Sequence, residues 1–432
     1  MRILAIDDRD PEVICRAAAT AGIDVEKPQG DLEALLRNLF GTANAAFRKD
    51  TAIIDVEGFE QYDMVLLDFG LTTLQFDNFP FRLTAEHIAG YIRALTSVPF
   101  VVSLNKLGSM DFDLKYLLGD FDTKADLALH TDLLSNKGLW SGELAEDQFC
   151  PWYWPRLNKA AERREAQIQF VRERLDKPIL GSLGFPDEAI EQLPLQAIGF
   201  LSPQAEDSDP NSQVSVRTVT FWQHFLSSNR TLIRDDRSEL LGVLPQDLSE
   251  AVIPVEGERA EAVKTIAARV VAGELDFWFR RDILGPQRLL IDAPHLQAKY
   301  RFRPGEGDEA NPAAWSATAK ELTPPYGLAE EFFKAIKAAE FKQSHGGVDL
   351  IWTDKPCFWL PQIEDSDTFI ELAEKHPKRH NNLVFCEDTR RFVDTKKSTP
   401  HRFETALGRG IDVRYIEKLA QLEYSPKSQL AR

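Results

Sequence analysis

Three aspartates follow two apolar runs of this chain, and side chains of this type can bind a metal ion or accept a phosphoryl group. Asp7 and Asp8 end the run that starts at Ile3, and Asp68 ends the run that starts at Met64. Short continuous apolar runs are typical of strands buried on both faces of a parallel sheet. Ligands of such sheets bind beyond the carboxyl ends of the strands, so we expect the three carboxylates to meet there.

A cluster of three carboxylates needs charge compensation. At a separation of about 4 Å and an effective dielectric constant near 20, each pair repels by about 4 kcal/mol. Shared protons or a divalent cation would remove this repulsion. Hard oxygen ligands that leave room for water and phosphate suit magnesium, so the sequence predicts a Mg²⁺ site formed by Asp7, Asp8 and Asp68.

Helical patterns separate the apolar runs. The first extends from Pro11 to Gly22, with Asp10 as a candidate N-cap and proline at the first helical position. The second extends from Ala85 to Leu95 and places its apolar residues on one face. A further apolar run ends at Ser103. Strands that alternate with such helices predict a doubly wound α/β domain.

Residues 1 to about 135 resemble the receiver domain of two-component response regulators. Asp7 and Asp8 stand where that family has its acidic metal-binding pair, and Asp68 stands where it has its phosphoacceptor. Ser103 matches the Ser or Thr that hydrogen-bonds the phosphoryl group, and Lys124 matches the family's lysine. The resemblance implies a five-stranded, flavodoxin-like parallel sheet, bound Mg²⁺, and transfer of a phosphoryl group to Asp68 from a histidine kinase.

The chain also departs from the family pattern. Ala125 follows Lys124 where the family often has proline, and the segments 31–49 and 69–84 are long. Lys106 is a rival for the lysine, although it follows soon after Ser103. A degenerate receiver and an unrelated α/β domain with aspartates at its strand ends are therefore alternative interpretations.

Length and composition set wider limits. The 432 residues predict two or three domains, which we place at 1–138 and 139–432 with a possible further boundary at 204–213. A net charge of −17 argues against a general nucleic-acid or anionic-membrane surface. Four widely spaced cysteines without a CxxC pair favour the reducing cytoplasm, without a disulfide framework or zinc motif. We expect neither a signal peptide nor a membrane span.

The region after residue 138 is predicted to be a mixed, helix-rich α+β structure. The aromatic segment 149–155 is expected to anchor one domain on the next or, as an alternative, to stack on a ligand. The charged helix 158–175 is expected to present a solvated face, and the helix 256–273 is expected to end at Gly273. Further predictions are strands at 288–295, 348–354 and 382–388 and helices at 328–341 and 413–422.

Three functional hypotheses follow from these observations. The first is a signalling protein that a histidine kinase phosphorylates on Asp68, with a second response regulator or a second copy of the chain as a further partner. A receiver followed by a long region without a DNA-binding motif resembles the receiver-only component of the Detocs anti-phage two-component system, which implies a phosphate-buffering role and no enzymatic output.

The second hypothesis is a receiver-gated enzyme in residues 139–432. It uses acidic and histidine side chains at predicted strand ends, namely Asp292, His295, Asp354, Glu387 and Asp388. The third is a DNA-binding regulator. The tail from Thr389 has ten Lys and Arg against five Asp and Glu, but it contains no convincing helix-turn-helix pattern.

Overall fold

The amino-terminal part of the protein is built on a parallel sheet with the strand order β1-β2-β3-β4. The strands are β1 (Ile3–Ile6), β2 (Met64–Asp68), β3 (Phe100–Asn105) and β4 (Leu127–His130). Residues of β1 and β2 are buried throughout, because helices cover both faces of the sheet. The parallel sheet and its helices confirm the predicted α/β class.

The structure is a computed structural model, and it describes residues 1–28, 30–47, 56–71, 84–105, 124–141, 155–201, 216–228, 258–283, 289–292, 350–353, 357–359, 383–386, 391–404 and 411–417.

A further segment joins the side of β1 that faces away from β2. Leu4 and Glu26 form a single parallel bridge, in which the Ala5 N–H donates to the Glu26 carbonyl at 2.8 Å and the Glu26 N–H donates to the Ile3 carbonyl at 2.8 Å. The guanidinium of Arg2 also makes two hydrogen bonds to the Glu26 carboxylate. Across the sheet the order is therefore the Glu26 segment, β1, β2, β3 and β4.

Helices cover the two faces of this sheet. They are α1 (Pro11–Thr20), α2 (Leu32–Phe47), α3 (Ala85–Leu95) and α4 (Lys137–Ser141), with a 3₁₀ turn at Thr131–Ser135. The helix α1, the 3₁₀ turn and α4 pack on one face, and α2 and α3 pack on the other. The predicted helix 85–95 has the bounds of α3, and α1 ends two residues before the predicted Gly22.

The region after the sheet is mostly helical, as predicted. Its helices are α5 (Leu157–Arg172), α6 (Ile179–Ser182), α7 (Asp187–Glu191), α8 (Leu195–Leu201), α9 (Phe221–Ser228) and α10 (Glu258–Trp278), and a π-helical turn follows at Phe279–Ile283. Gly273 lies inside α10, so the predicted helix end at this glycine is wrong: the helix continues because Leu275 and Trp278 are buried in the helical core.

Short strands complete the described chain. The strand β5 (Leu290–Asp292) pairs with β6 (Cys357–Trp359), and a second sheet has the order β8-β7-β10-β9. Its strands are β7 (Leu383–Cys386), β8 (Arg391–Asp394), β9 (Ser398–Glu404) and β10 (Ile411–Glu417). The helix predicted at 413–422 is wrong over its described part, because apolar and charged residues alternate from 411 to 415 and pair as a strand.

The strand predicted at 348–354 is also wrong over its described part. Residues Leu350–Thr353 form a helical turn, α11, whose Trp352 is 2% exposed and stacks with Phe279 of the helical core. The strand predicted at 382–388 is found as β7. The helix predicted at 328–341 lies outside the described residues.

The core of the sheet continues past the predicted boundary at residue 138. Leu139 and Trp140 of α4 and Leu157 of α5 pack in the same cluster as β1 and β3, and the Trp140 indole N–H donates to the Leu134 carbonyl at 2.8 Å. The far end of α5, at Phe170, belongs to the helical core. The helix α5 therefore packs in the core of the sheet at its beginning and in the core of the helical region at its end. Most of the aromatic segment 149–155 and the segment 204–213 lie outside the described residues.

Among the helices that the structure describes, none combines the length and apolar character needed to cross a membrane.

Candidate functional site

Asp7, Asp8 and Asp68 come together at the carboxyl edge of the parallel sheet, and we call them the aspartate cluster. Each offers a carboxylate oxygen, and these oxygens all lie within 4.8 Å of one another. The register places Ile6 beside Leu67, so the residues that follow the two strands emerge side by side. Asp7 and Asp68 are 4% and 8% exposed. The predicted meeting of the three carboxylates is therefore found.

A tight turn after β1 holds the first carboxylate in place. Oδ1 of Asp7 accepts the backbone N–H of Arg9 at 2.8 Å and that of Asp10 at 3.1 Å. The helix α1 begins at Pro11, directly after this turn, so the positive end of its dipole lies close to the turn. These backbone groups offset part of the negative charge on Asp7.

The remaining charge makes the aspartate cluster suited to a divalent cation. At 4.8 Å and an effective dielectric constant near 20, two carboxylates repel by about 3 kcal/mol. Oxygen ligands at about 2.1 Å around an octahedral Mg²⁺ are about 3 to 4 Å apart, so small side-chain movements would bring three oxygens into such a shell. The donor set and its burial fit Mg²⁺.

The backbone just after Asp68 is held by both neighbouring elements. The Phe69 N–H donates to the Leu104 carbonyl of β3 at 2.8 Å, and the Phe69 carbonyl accepts the N–H of Ala85, the first residue of α3, at 3.0 Å. The helix α3 therefore starts at the aspartate cluster. Phe69 itself is 42% exposed.

Ser103 lies on the strand next to Asp68, on the other face of the sheet. It is 2% exposed and pairs with Leu67, whereas Asp68 pairs with Leu104. Successive side chains of a strand point to opposite faces, which assigns Ser103 to the face of Leu67 and of α3. The structure thus places Ser103 one register position from Asp68.

Lys124 is connected to the site edge through α3. It precedes β4 by three residues, its side chain is exposed, and its backbone N–H donates to the carboxylate of Glu86. Glu86 lies in the first turn of α3, next to the Ala85 that bonds the residue after Asp68. Lys106, the rival, lies outside the described residues.

A buried charged cluster, which sequence reasoning missed, joins the sheet to the helical region. We call it the ion network, and it consists of Arg93, Asp126, Arg164, Asp276 and Arg280. Within it, Asp126 accepts hydrogen bonds from Arg93 of α3 at 2.7 Å and from Arg164 of α5, and its carbonyl accepts from Arg280 at 2.7 Å. Its second carboxylate oxygen accepts the Val101 N–H at 2.7 Å.

Asp276 is the second acidic centre of the ion network. It accepts from Arg164 at 3.1 Å and from Gln167 at 3.0 Å, and it lies 2.9 Å from Arg280. Burial alone would raise the pKa of the Asp276 carboxyl, but Arg280 and then Arg164 outweigh it and lower the pKa to about 2. The pKa of Asp126 is also lowered, since Arg164 and Arg93 outweigh the effect of its burial.

The charged helix α5 has an exposed face, which includes Lys159, Glu162 and Glu165, but Arg164 does not lie on it. Its side chain is 2% exposed, and its neighbour in the network, Gln167, is 1% exposed. Its partners Asp126 and Asp276 are 38 and 112 residues away in the chain. No local spacing pattern indicates such contacts.

Of the strand-end groups of the enzyme hypothesis, Asp292 lies among the described residues, as the last residue of β5. The other residues of that hypothesis, His295, Asp354, Glu387 and Asp388, lie outside the described residues.

In comparisons with known proteins, no family model matches this chain, and no curated protein or solved structure is significantly similar to it.

Proposed function

We propose that this protein is a phosphorylation-dependent signalling protein whose amino-terminal domain accepts a phosphoryl group on Asp68. The observation that supports it most is the convergence of Asp7, Asp8 and Asp68 at one edge of a parallel sheet, with their oxygens within 4.8 Å. A receiver needs this combination of an acceptor carboxylate and an acidic metal-binding pair.

The strand order supports the same proposal. When the Glu26 segment is counted as the second strand, the order across the sheet is second, first, third, fourth and fifth in chain sequence. This is the order of flavodoxin-like folds, which bind ligands where the order reverses, between the first and third strands. Here those strands are β1 and β2, the two that end at the aspartate cluster.

In the proposed reaction, a carboxylate oxygen of Asp68 attacks the phosphorus of a phosphohistidine on the partner kinase. The new O–P bond forms as the N–P bond breaks, and the electron pair of that bond returns to the imidazole. Asp7, Asp8 and Asp68 would hold Mg²⁺, which supplies charge neutralisation for the transferred group. Lys124 is the proposed cation for the phosphoryl oxygens, and Ser103 is the proposed hydroxyl, which would have to turn from the α3 face of the sheet to reach them.

The proposed partner is a histidine kinase in the reducing cytoplasm that the widely spaced cysteines predict. A phosphoryl group adds about −1.5 to −2 charge beside two further carboxylates, and this is large enough to reorder neighbouring segments. The resemblance to the Detocs receiver component adds a phosphate-buffering role in anti-phage defence, with a second regulator as the competing acceptor. That role stays a prediction.

Intact mass measurement tests the proposal. The purified protein is incubated with acetyl phosphate and Mg²⁺, beside Asp68→Asn and the control Asp63→Asn, which changes the same residue type just ahead of the same strand. We expect the wild type and Asp63→Asn to gain one phosphoryl group, and Asp68→Asn and an EDTA-treated sample to gain none. A gain that persists in Asp68→Asn, or no gain in the wild type, would falsify the proposal.

A further inference from the structure

The helix α3 connects the aspartate cluster directly to the ion network. Its first residue, Ala85, donates its N–H to the carbonyl of Phe69, the residue after Asp68. Two helical turns later, Arg93 donates to Asp126 at 2.7 Å. A helix of 11 residues therefore has one end at the proposed phosphoacceptor and the other in the buried charges.

The contact between α3 and the helical region is close enough to respond to small movements. Ile266 of α10 packs against the cluster that contains Ile88 and Ile92 of α3. Gly273 of α10 faces the Arg93 guanidinium so closely that an added Cβ would lie 2.8 Å from its Nε. A shift of α3 would therefore have to move Arg93 or α10.

The ion network extends this contact into the helical region. Arg164 of α5 bonds both Asp126 and Asp276, and Asp276 belongs to α10. Gln167 continues the connection, because its amide donates to Asp276 at 3.0 Å and to the Ile351 carbonyl of α11 at 2.7 Å. Buried charges with specific partners tolerate few alternative arrangements, so such a network passes from one discrete packing to another rather than deforming smoothly.

We propose that α3 and the ion network form a conformational relay that couples the state of Asp68 to the packing of α5 and α10. The relay rests on the proposed function, since phosphorylation is the signal that it transmits. Its output is a change in how α10 packs against α3, which makes the helical region the regulated part of the protein.

Hydrogen exchange measured by mass spectrometry tests the relay on the full-length chain, with and without acetyl phosphate and Mg²⁺. The intact mass of each sample reports the phosphorylated fraction, to which the exchange data are normalised. We expect phosphorylation of the wild type to change exchange in peptides from α10 and α5 by at least threefold. In Arg93→Met, which keeps a long side chain without the charge, we expect this response to be lost.

Two further variants test the relay at other contacts of these helices. Gly273→Ala keeps every charge but pushes on Arg93, and we expect it to reduce the response by at least half. Arg172→Met is the matched control, because it removes an exposed ion pair between α5 and α10, in which Arg172 lies 3.3 Å from Glu261. We expect this variant to leave the exchange response unchanged.

The outcomes distinguish the relay from the proposed function. If the wild type gains the phosphoryl group but exchange in α5 and α10 does not change, the relay is wrong and the phosphoacceptor stands. An equal response in Arg93→Met and in the wild type leads to the same conclusion. If no sample gains a phosphoryl group, both proposals fail, and the mass measurement shows this directly.

Discussion

At the scale of single residues, the aspartate cluster follows from local sequence. Asp7 and Asp68 end apolar runs that become adjacent parallel strands, and parallel strands bring their carboxyl ends to one edge. Sequence reasoning could therefore place these carboxylates together without knowing any distant contact. It also predicted Mg²⁺ at this place, because carboxylate oxygens that lie this close repel one another and suit a hard divalent cation.

The role of Lys124 can be tested against that of its rival. Glu86 holds the Lys124 backbone beside the first turn of α3, so we expect Lys124→Ala to slow phosphoryl gain from acetyl phosphate by about tenfold or more, because a cation for the phosphoryl oxygens is lost. Rates of mass gain for Lys124→Ala, Lys124→Arg and Lys106→Ala make the comparison. If Lys106→Ala gained the phosphoryl group slowly and Lys124→Ala did not, Lys106 would be the cation that contacts the phosphoryl oxygens.

The depressed pKa of Asp276 predicts a pH dependence of stability. Its folded pKa of about 2 lies below the unfolded value of about 3.9, so the ionised carboxylate stabilises the fold above the unfolded pKa. This contribution, about 2–3 kcal/mol, is lost as the pH falls from about 4 through about 2. Urea unfolding should therefore show Asp276→Asn much less stable than wild type near neutral pH, with the difference shrinking in that acidic window.

The exposed Glu261 provides the comparison for this experiment. Glu261→Gln removes an acidic group of the same helix that lies in surface ion pairs, which contribute little. We expect its free energy of unfolding to follow that of the wild type at every pH. An Asp276→Asn curve parallel to the wild-type curve would contradict the assigned pKa.

At the scale of elements, the sequence predicts the class and bounds of a helix or strand where the spacing of its apolar residues is clear. It does not do so where packing against distant residues decides between helix and strand. The helix α3 was predicted with its bounds because its buried residues have helical spacing. Residues 413–417 and 350–353 were assigned to the wrong class, since segments of this length contain too few residues for their period to decide. The first segment is a strand because it pairs with β9, and the second is helical and packs Trp352 against Phe279.

Replacing two helical glycines by alanine is expected to change the stability of the protein in opposite directions. Gly90 of α3 has nothing within 4 Å of an added Cβ, so Gly90→Ala should stabilise the protein by about 0.5–1 kcal/mol through helix propensity. Gly273→Ala gains the same propensity, but its Cβ would press on Arg93, which Asp126 holds in place. We expect a net loss of about 1–2 kcal/mol in urea unfolding, in line with other overpacked sites.

Equal stabilisation by the two alanines would show that Arg93 moves away without cost. The Arg93–Asp126 contact would then be too weak to keep the Arg93 guanidinium against Gly273 of α10.

At the scale of the whole molecule, the buried ion network joins the sheet to the helical region, and we expect the two parts to unfold together. Asp126, directly before β4, accepts hydrogen bonds from Arg164 and Arg280 of the helical region. The side chains of all three residues are at most 10% exposed. Removing one partner of a buried ion pair costs about 3–5 kcal/mol, because the other charge remains buried. Sequence reasoning placed a boundary near residue 138 because the charged partners are distant in the chain and composition does not report them.

A truncated fragment tests this unity. Residues 1–141 keep the parallel sheet but lose Arg164 and Arg280, together with Leu157, which covers one face. We expect the fragment to lack a cooperative thermal transition by circular dichroism or to unfold well below the full chain. A fragment that unfolds cooperatively at the midpoint of the full chain would show that the sheet is an autonomous domain.

The single bridge at Glu26 has a consequence for solubility during synthesis. A long open strand at a sheet border is a template onto which another chain can add, and natural proteins shorten or charge such borders to prevent it. Here one border consists of a single bridged residue whose side chain is held by Arg2, with Asp24 and Lys27 beside it. A nascent chain that has formed β1 and this bridge therefore offers little backbone on that side to a neighbouring polypeptide, while the opposite side of β1 stays open until β2 pairs with it.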